Sequence, residues 1–410
     1  MIKRLVTPRV LEALRDRPVV VLEGPRQAGK STLARSLADH GHPARYLTLD
    51  DNTVLGAARS DPSGFIAGLS GNTVIDEVQL APELFPAIKA SVDRDRRPGR
   101  FLLTGPANAL FVPGLAGALV GRMEMVTLWP FGQAEMAKGM GGFLSRLVGG
   151  VPVGGGNGGV NRGDLAARMV AGGYPEAVRQ ADDDRRHAWF RSYISTIIQR
   201  DVRELADIGR LAAVPQLLGV VAGRATGLLN YADLSRSLGM PQSTLKRYLA
   251  LLEATFMVQP LPAWARNTSR RLIRAPKVLV ADTGLLSHLV SASRKVLLED
   301  PVLFGHILEN FVSMEVVKMA GWSRTPLRVT HYRDAGGREV DLVVETPDGD
   351  VVGIEVKSAG QVDARDFRGL KALAEAADRR FRRGVVLYAG RGVVPFGKDL
   401  HAVPLDAIWR

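Results

Sequence analysis

Residues Gly24-Pro25-Arg26-Gln27-Ala28-Gly29-Lys30-Ser31 satisfy the pattern G-x-x-x-x-G-K-[ST] at every fixed position. Glycines at such spacing let the backbone turn its N–H groups toward phosphate oxygens, and the start of a following helix adds its positive dipole end. The Lys30 ammonium is then placed for β and γ phosphates, and the Ser31 hydroxyl for Mg2+. The pattern carries weight only between a strand and a helix. Here the β-branched run Val19 to Glu23 breaks at Gly24, and helical patterning begins near Lys30. Residues 24 to 32, through Thr32, are therefore expected to bind ATP with Mg2+.

Further chemistry follows at a distance. Asp76-Glu77 comes directly after the apolar run Thr73-Val74-Ile75. A strand that ends in this pair presents an Asp to Mg2+ and a Glu to orient or activate water. The run Phe101-Leu102-Leu103 ends in Thr104-Gly105, followed by Asn108, and makes Thr104 a phosphate-sensor candidate. Arg122, in GRMEMVTLWPF, is a candidate arginine finger or sensor, because a planar guanidinium stabilises charge on a transferring phosphoryl group; a plain surface arginine is the competing reading.

A second constellation lies near the C-terminus. Asp341 sits on an expected strand to Glu345, Pro347-Asp348-Gly349-Asp350 turns the chain, and Glu355-Val356-Lys357 lies on the return. Hairpin pairing brings Asp341 beside Glu355, and the period of two places Glu355 and Lys357 on one face. With Glu309 from the preceding helix, these carboxylates are candidate Mg2+ ligands for phosphodiester hydrolysis, and Lys357 is a candidate to orient the nucleophile. The bland alternative for Glu-x-Lys on a strand is a solvated face.

Between the two lies a helix-turn-helix spacing: Tyr231 to Leu238, a turn at Gly239, then Pro241 to Ala254. Leu245, Leu249 and Leu252 form an apolar stripe that leaves Gln242, Ser243, Lys246 and Arg247 outward. The segment 265–277 adds Arg266, Arg270, Arg271, Arg274 and Lys277 as a candidate basic wing. Nothing in it reads a particular sequence, so phosphate-led binding to DNA is the expectation, with a packing role the alternative.

The elements that must position these groups are legible in outline. The first third reads as a doubly wound α/β domain, residues 139 to 159 as a glycine-rich mobile insertion, and Leu165 to Leu205 as a helical lid. An α-rich module and a last α/β module follow. With 410 residues, 46% hydrophobic and 23% charged, the chain can bury a sizeable core in two or three domains. No stretch approaches a membrane span and the start lacks the apolar core of a signal peptide, so a cytoplasmic protein is expected. Absence of cysteine excludes disulfides, thiolate metal sites and a cysteine nucleophile. The net charge of +12 points to a polyanionic partner. His288, His306 and His331 show no ligand spacing.

The segments GPRQAGKST, TVIDEVQLAPELF, FLLTGPAN, GRMEMVTLWPF, GGYPEAV and IIQRDV together resemble a bacterial and archaeal subfamily of AAA-class ATPases. Its members join such a domain to a winged helix and a C-terminal domain with a restriction-endonuclease-like core. Helix Glu, strand Asp and strand Glu-x-Lys likewise resemble the PD-(D/E)XK nuclease core, including that of junction-resolving enzymes. The resemblance runs nearly end to end. It departs at Pro106, where the family has Ser, and in the glycine-rich insert. It implies a P-loop core at 1–138, the insertion at 139–160, a lid at 161–211, a winged helix with basic wing at 212–290 and a nuclease-like domain at 291–410. The function it implies is ATP-driven DNA processing by a homo-oligomer, in ring form, acting on duplex, branched or Holliday-junction DNA. The alternative is an ATP-switched signalling or regulatory protein whose nuclease-like domain binds without cutting.

Overall fold

Strands form where β-branched and leucine residues run together, and the first such run sits at the centre of the first sheet. The structure is a computed structural model that describes residues 2–105, 117, 119–150, 159–203, 212–267 and 274–410. Five parallel strands, β1 (Val19–Glu23), β2 (Arg45–Thr48), β3 (Thr73–Asp76), β4 (Phe101–Thr104) and β5 (Met123–Thr127), lie in the order β2-β3-β4-β1-β5. Strand β1 is buried along its whole length. Val19 and Val21 join the core on one face of the sheet, while Val20 and Leu22 join the core on the other. Both faces being covered explains why these strands read as continuous apolar runs.

The segment from Gly139 to Gly150 differs from the mobile insertion expected of it. Phe143–Val148 is helical, and Phe143, Leu144 and Leu147 are fully buried against the C-terminal residues, including Trp409. Each contributes about 2 kcal/mol. Gly139 approaches the Trp409 carbonyl so closely that a Cβ would lie 2.2 Å from its oxygen. The glycines here allow tight docking where flexibility was inferred. Residues 151–158 of the insertion lie outside the described residues.

Helices Arg162–Ala171, Pro175–Arg179 and Asp183–Thr196 follow, and the last runs on as a π-helical turn, Ile197–Val202. Helices Ala213–Ala222, Tyr231–Leu238 and Gln242–Ala254 then lead into the antiparallel pair β6 (Val258–Leu261) and β7 (Lys277–Val280). Gly239 makes the turn between the second and third of these helices with φ of +59°. After the helix Pro301–Trp322 comes a six-stranded sheet of β8 (Arg328–Arg333), β9 (Glu339–Glu345), β10 (Val351–Lys357), β11 (Phe381–Tyr388), β12 (Val394–Pro395) and β13 (Leu400–Pro404). Its order is β12-β13-β11-β10-β9-β8, with β9 and β10 an antiparallel hairpin and β10 parallel to β11. Among the described residues no helix is long and apolar enough to cross a membrane.

Candidate nucleotide site and a second, acidic cluster

The phosphate loop sits where β1, flanked by β4 and β5, hands over to the helix Lys30–Ser36. Gly24 has φ of +144°, and a Cβ there would stand 2.2 Å from the Leu128 carbonyl oxygen, so only glycine fits. Gly29, at φ of +97°, starts the helix. The Lys30 ammonium is buried and donates to the carbonyls of Gly24 and Pro25, both at 2.8 Å. Burial lowers its pKa to about 8, against the opposing pull of Glu77.

Asp76 collects the polar ends of three neighbouring elements. Its Oδ1 accepts from Ser31 Oγ at 3.1 Å and from the Thr104 hydroxyl, and its Oδ2 accepts from the Tyr46 hydroxyl. Glu77 follows in the left-handed region, φ +58°, a conformation that costs a non-glycine residue about 1 kcal/mol. Its N–H donates to Thr104 Oγ1 at 3.2 Å, and its Oε2 accepts from Gln79 at 2.5 Å and lies 3.8 Å from the Arg26 guanidinium. Arg26 Nε donates to both Asp201 oxygens at 2.7 Å, so the π-helical turn grips the phosphate loop directly. Tyr193 adds a hydroxyl to the Arg26 carbonyl at 3.4 Å. The Ser31 hydroxyl and the Asp76 carboxylate are hard oxygen donors one hydrogen bond apart, which suits Mg2+. Bound there with ATP, the ion would neutralise phosphate charge.

The structure brings Lys30, Ser31, Asp76, Glu77 and Thr104 together but leaves Arg122 apart. Strand β5 enters the sheet beside Val19 and ends beside Glu23, so Arg122, just before Met123, lies at the end away from the loop. There its guanidinium pairs with Asp93 at 2.6 and 3.0 Å. This register does not bring Arg122, the candidate finger or sensor, to the phosphate loop of its own chain. Pro106 and Asn108 lie outside the described residues. Sequence reasoning missed Tyr46, Asp201 and Arg4. Arg4 donates to the Ala28 carbonyl of the loop at 2.8 Å and pairs with Glu135 at 3.1 Å. No local pattern marks them, since each acts across more than twenty residues of chain.

In the C-terminal module the hairpin register runs from Val351↔Glu345 to Ile354↔Leu342, which carries Asp341 toward Glu355. Asp341 Oδ2 accepts from the Val356 N–H at 2.9 Å, and Lys357 donates to Glu355 Oε1 at 2.9 Å. Glu309 reaches the same place from the helix Pro301–Trp322. An unexpected residue completes it: Lys277 Nζ stands 2.7 Å from Glu309 Oε1 and 3.5 Å from Asp341 Oδ1. Grouped by sequence with the candidate basic wing, Lys277 is instead buried at the start of β7. Burial, and next the Asp341 charge, raise the carboxyls of Glu309 and Glu355 well above the usual range. Burial would lower Lys277, but Glu309 and Asp341 together hold its ammonium above its ordinary value. As arranged, these residues do not fit a divalent ion. Among the described residues no group of three or more His, Asp or Glu is placed to hold one.

The helix Gln242–Ala254 buries Leu245, Leu249 and Leu252 and exposes Gln242, Ser243, Lys246 and Arg247. Arg266 and Arg274 are exposed, with Arg274 donating to the Arg333 carbonyl at 2.9 Å. Arg270 and Arg271 lie outside the described residues.

A parallel sheet in this order, a G-x-x-x-x-G-K-[ST] loop after β1 and an Asp-Glu pair at the end of β3 define a P-loop ATPase domain of the AAA class. Residues 16–137 match the profile of an AAA domain, residues 162–296 that of a domain of unknown function (DUF8612), and residues 304–408 that of another (DUF4143). Over 409 residues the chain is 31% identical to uncharacterized protein Rv2008c of Mycobacterium tuberculosis, spanning 99% of this chain and 84% of that one. Uncharacterized protein Mb2031c of Mycobacterium bovis matches to the same extent. The chain belongs to the family of these mycobacterial proteins. Among solved structures, the Walker-type ATPase paby2304 of Pyrococcus abyssi is 16% identical with a TM-score of 0.40, over 70% of this chain and 96% of that one. A Thermotoga maritima RuvB variant is 17% identical with a TM-score of 0.29, over 62% and 88%.

Proposed function

We propose that the protein hydrolyses ATP to bind and remodel DNA. The observation that carries the DNA half is the exposed face Gln242, Ser243, Lys246 and Arg247. It stands on a helix whose other face is core, followed by the antiparallel pair β6 and β7, an arrangement that fits a winged helix. The overall charge of +12 supports the same partner.

In this reading Lys30 exchanges its two neutral carbonyls for β and γ phosphate oxygens, and the loop N–H groups between Gly24 and Gly29 line the phosphates. Ser31 and Asp76 hold Mg2+, Thr104 fixes Asp76, and Glu77 holds the attacking water. The bond from Arg26 to Asp201 links the loop to the helical segment leading toward the basic face, and offers a route by which hydrolysis moves it. A homo-oligomer is part of the proposal, checked by sedimentation with and without ATP. Metal-dependent cleavage by the C-terminal module is not part of it, because Lys277 sits among the carboxylates.

The test is an ATPase assay across single-stranded, duplex and branched DNA, with Lys30→Ala as the inactive control. DNA is expected to stimulate hydrolysis, and replacing Lys246 and Arg247 by Ala is expected to lower the salt slope of binding by about 2, roughly one per lost phosphate contact. A rate indifferent to every DNA, with no salt-dependent retention, sinks this reading in favour of an ATP-switched regulator with a protein partner.

A further inference from the structure

The acidic cluster is composite. Glu309, Asp341 and Glu355 belong to the segment matched by one family profile, residues 304–408, and Lys277 to the segment matched by another, residues 162–296. The lysine is no chance visitor from a loose loop. It begins β7, and β7 is tied to the very helix that carries Glu309. Asn310, fully buried, accepts the Val280 N–H on Oδ1 and donates Nδ2–H to the Val280 carbonyl, both at 2.9 Å. A side-chain amide thus imitates a neighbouring strand, and fixes β7 in register with the helix three residues from Lys277.

An inventory of the carboxylate oxygens gives the consequence. Asp341 uses Oδ1 for Lys277 and Oδ2 for the Val356 N–H. Glu309 uses Oε1 for Lys277 and also meets the Thr226 hydroxyl. Glu355 uses Oε1 for Lys357, and its Oε2 is buried without a partner. One spare oxygen, on Glu355 alone, is fewer than the shared carboxylate oxygens from two side chains that would hold even a largely hydrated divalent ion between Glu309 and Asp341. We propose that Lys277 is the resident cation of this cluster: its ammonium takes the place between Glu309 and Asp341 that a divalent ion would need, and it ties the middle module to the C-terminal one. A buried ion pair of this geometry closes the site from within the chain, so in the intact protein Asp341 binds no catalytic metal. The inference does not depend on whether the partner is DNA.

The test titrates Mn2+, read by its paramagnetic resonance signal and without nucleotide, into the full chain and into Asp341→Asn, Lys277→Gln and the double variant. Wild type and Asp341→Asn are expected to bind alike up to about 1 mM Mn2+, the weak end of protein oxygen sites. Lys277→Gln is expected to gain one site at least tenfold tighter, and the added Asp341→Asn to remove it. A wild-type site that Asp341→Asn abolishes overturns the proposal. So does a folded Lys277→Gln chain, with unchanged circular dichroism, that gains nothing. Should Lys277→Gln fail to fold, the wild-type and Asp341→Asn pair decides alone, together with DNA cleavage in Mn2+: cleavage that depends on Asp341 refutes the resident lysine.

Discussion

Lys30 and Lys277 are buried to nearly the same degree, and their surroundings send them in opposite directions. Lys30 is held by the carbonyls of Gly24 and Pro25, neutral partners that leave its pKa lowered to about 8. Lys277 is held by Glu309 and Asp341, and its ammonium is stabilised beyond the ordinary value despite the cost of burial. A desolvated ammonium bonded only to backbone carbonyls, with burial outweighing the pull of Glu77 and Asp76, gains strongly from any phosphate that arrives. One already matched by carboxylates has nothing to gain and loses its partners if it leaves. The first arrangement is a receptor for an anion, the second a joint.

The largest expected effect breaks the comparison on activity. Lys30→Ala is expected to lower kcat for ATP hydrolysis by at least about 100-fold, the scale of removing one electrostatic partner of the transition state, with little change in thermal unfolding. Lys277→Ala is expected to do the reverse. It strands buried carboxylates, which costs about 3–5 kcal/mol, so the thermal midpoint should drop while kcat per folded molecule stays within about twofold, below the scale of any catalytic partner. Steady-state kinetics and calorimetry on the two variants check this. A Lys277→Ala chain that melts like wild type would remove the joint, and a Lys30→Ala chain that still hydrolyses would remove the receptor.

Acid sharpens the same contrast through a neighbour. His331, on β8, is buried, and its Nε2 meets the Ala275 carbonyl at 3.3 Å. Burial lowers its pKa to about 4; Lys277, Arg274 and Arg333 push the same way and the carbonyl opposes them. The folded state therefore keeps His331 neutral below pH 6.5 while the unfolded state takes a proton. Stability from this group is complete above about pH 6.5 and is lost as the pH falls toward 4, by about 3 kcal/mol in all. Thermal midpoints measured from pH 7 down to 4.5 should fall less steeply in His331→Asn than in wild type. Equal slopes would show that His331 is free to protonate in place, and that Lys277 exerts no effective field there.

Sequence and structure agree best where chemistry is local. Gly24 to Ser31, Asp76-Glu77 and the strand before each are adjacent in the chain, and their periodicity and glycine placement suffice to read them. The hairpin that sets Asp341 toward Glu355 is local as well. What escaped was set by long-range partners. Lys277 looks like one more cation of a basic stretch until Asn310, thirty-three residues on, pins its strand. Asp201 looks like an ordinary acid of an IIQRDV helix until Arg26 reaches it. Phe143, Leu144 and Leu147 are too few among glycines to suggest a core, and become one only when Trp409 and the last strands close over them. Composition describes what a segment can do alone, and these segments do nothing alone.

The smallest expected effect concerns Arg122, the candidate arginine finger or sensor for which a plain surface arginine is the competing reading. Parallel pairing puts Met123 next to Val19 and Thr127 next to Glu23, so the loop after Glu23 and the residue before Met123 stand at opposite ends of two neighbouring strands. A five-residue strand rises about 3.3 Å per residue, which leaves Arg122 about 13 Å or more short of the phosphates along β5 alone. It is partly exposed and already engaged by Asp93 through two hydrogen bonds, the kind of surface pair that contributes little to stability. Arg122→Ala should therefore hydrolyse ATP within about twofold of wild type, where loss of an arginine that stabilises transferring phosphate costs about 1,000-fold or more. Measured beside Lys30→Ala in one assay, the result separates a basic residue that belongs to the anion receptor from one that merely shares its sheet. A collapse of kcat in Arg122→Ala would mean that the phosphates are completed by an arginine from a neighbouring copy, and that the single chain is only half of the site.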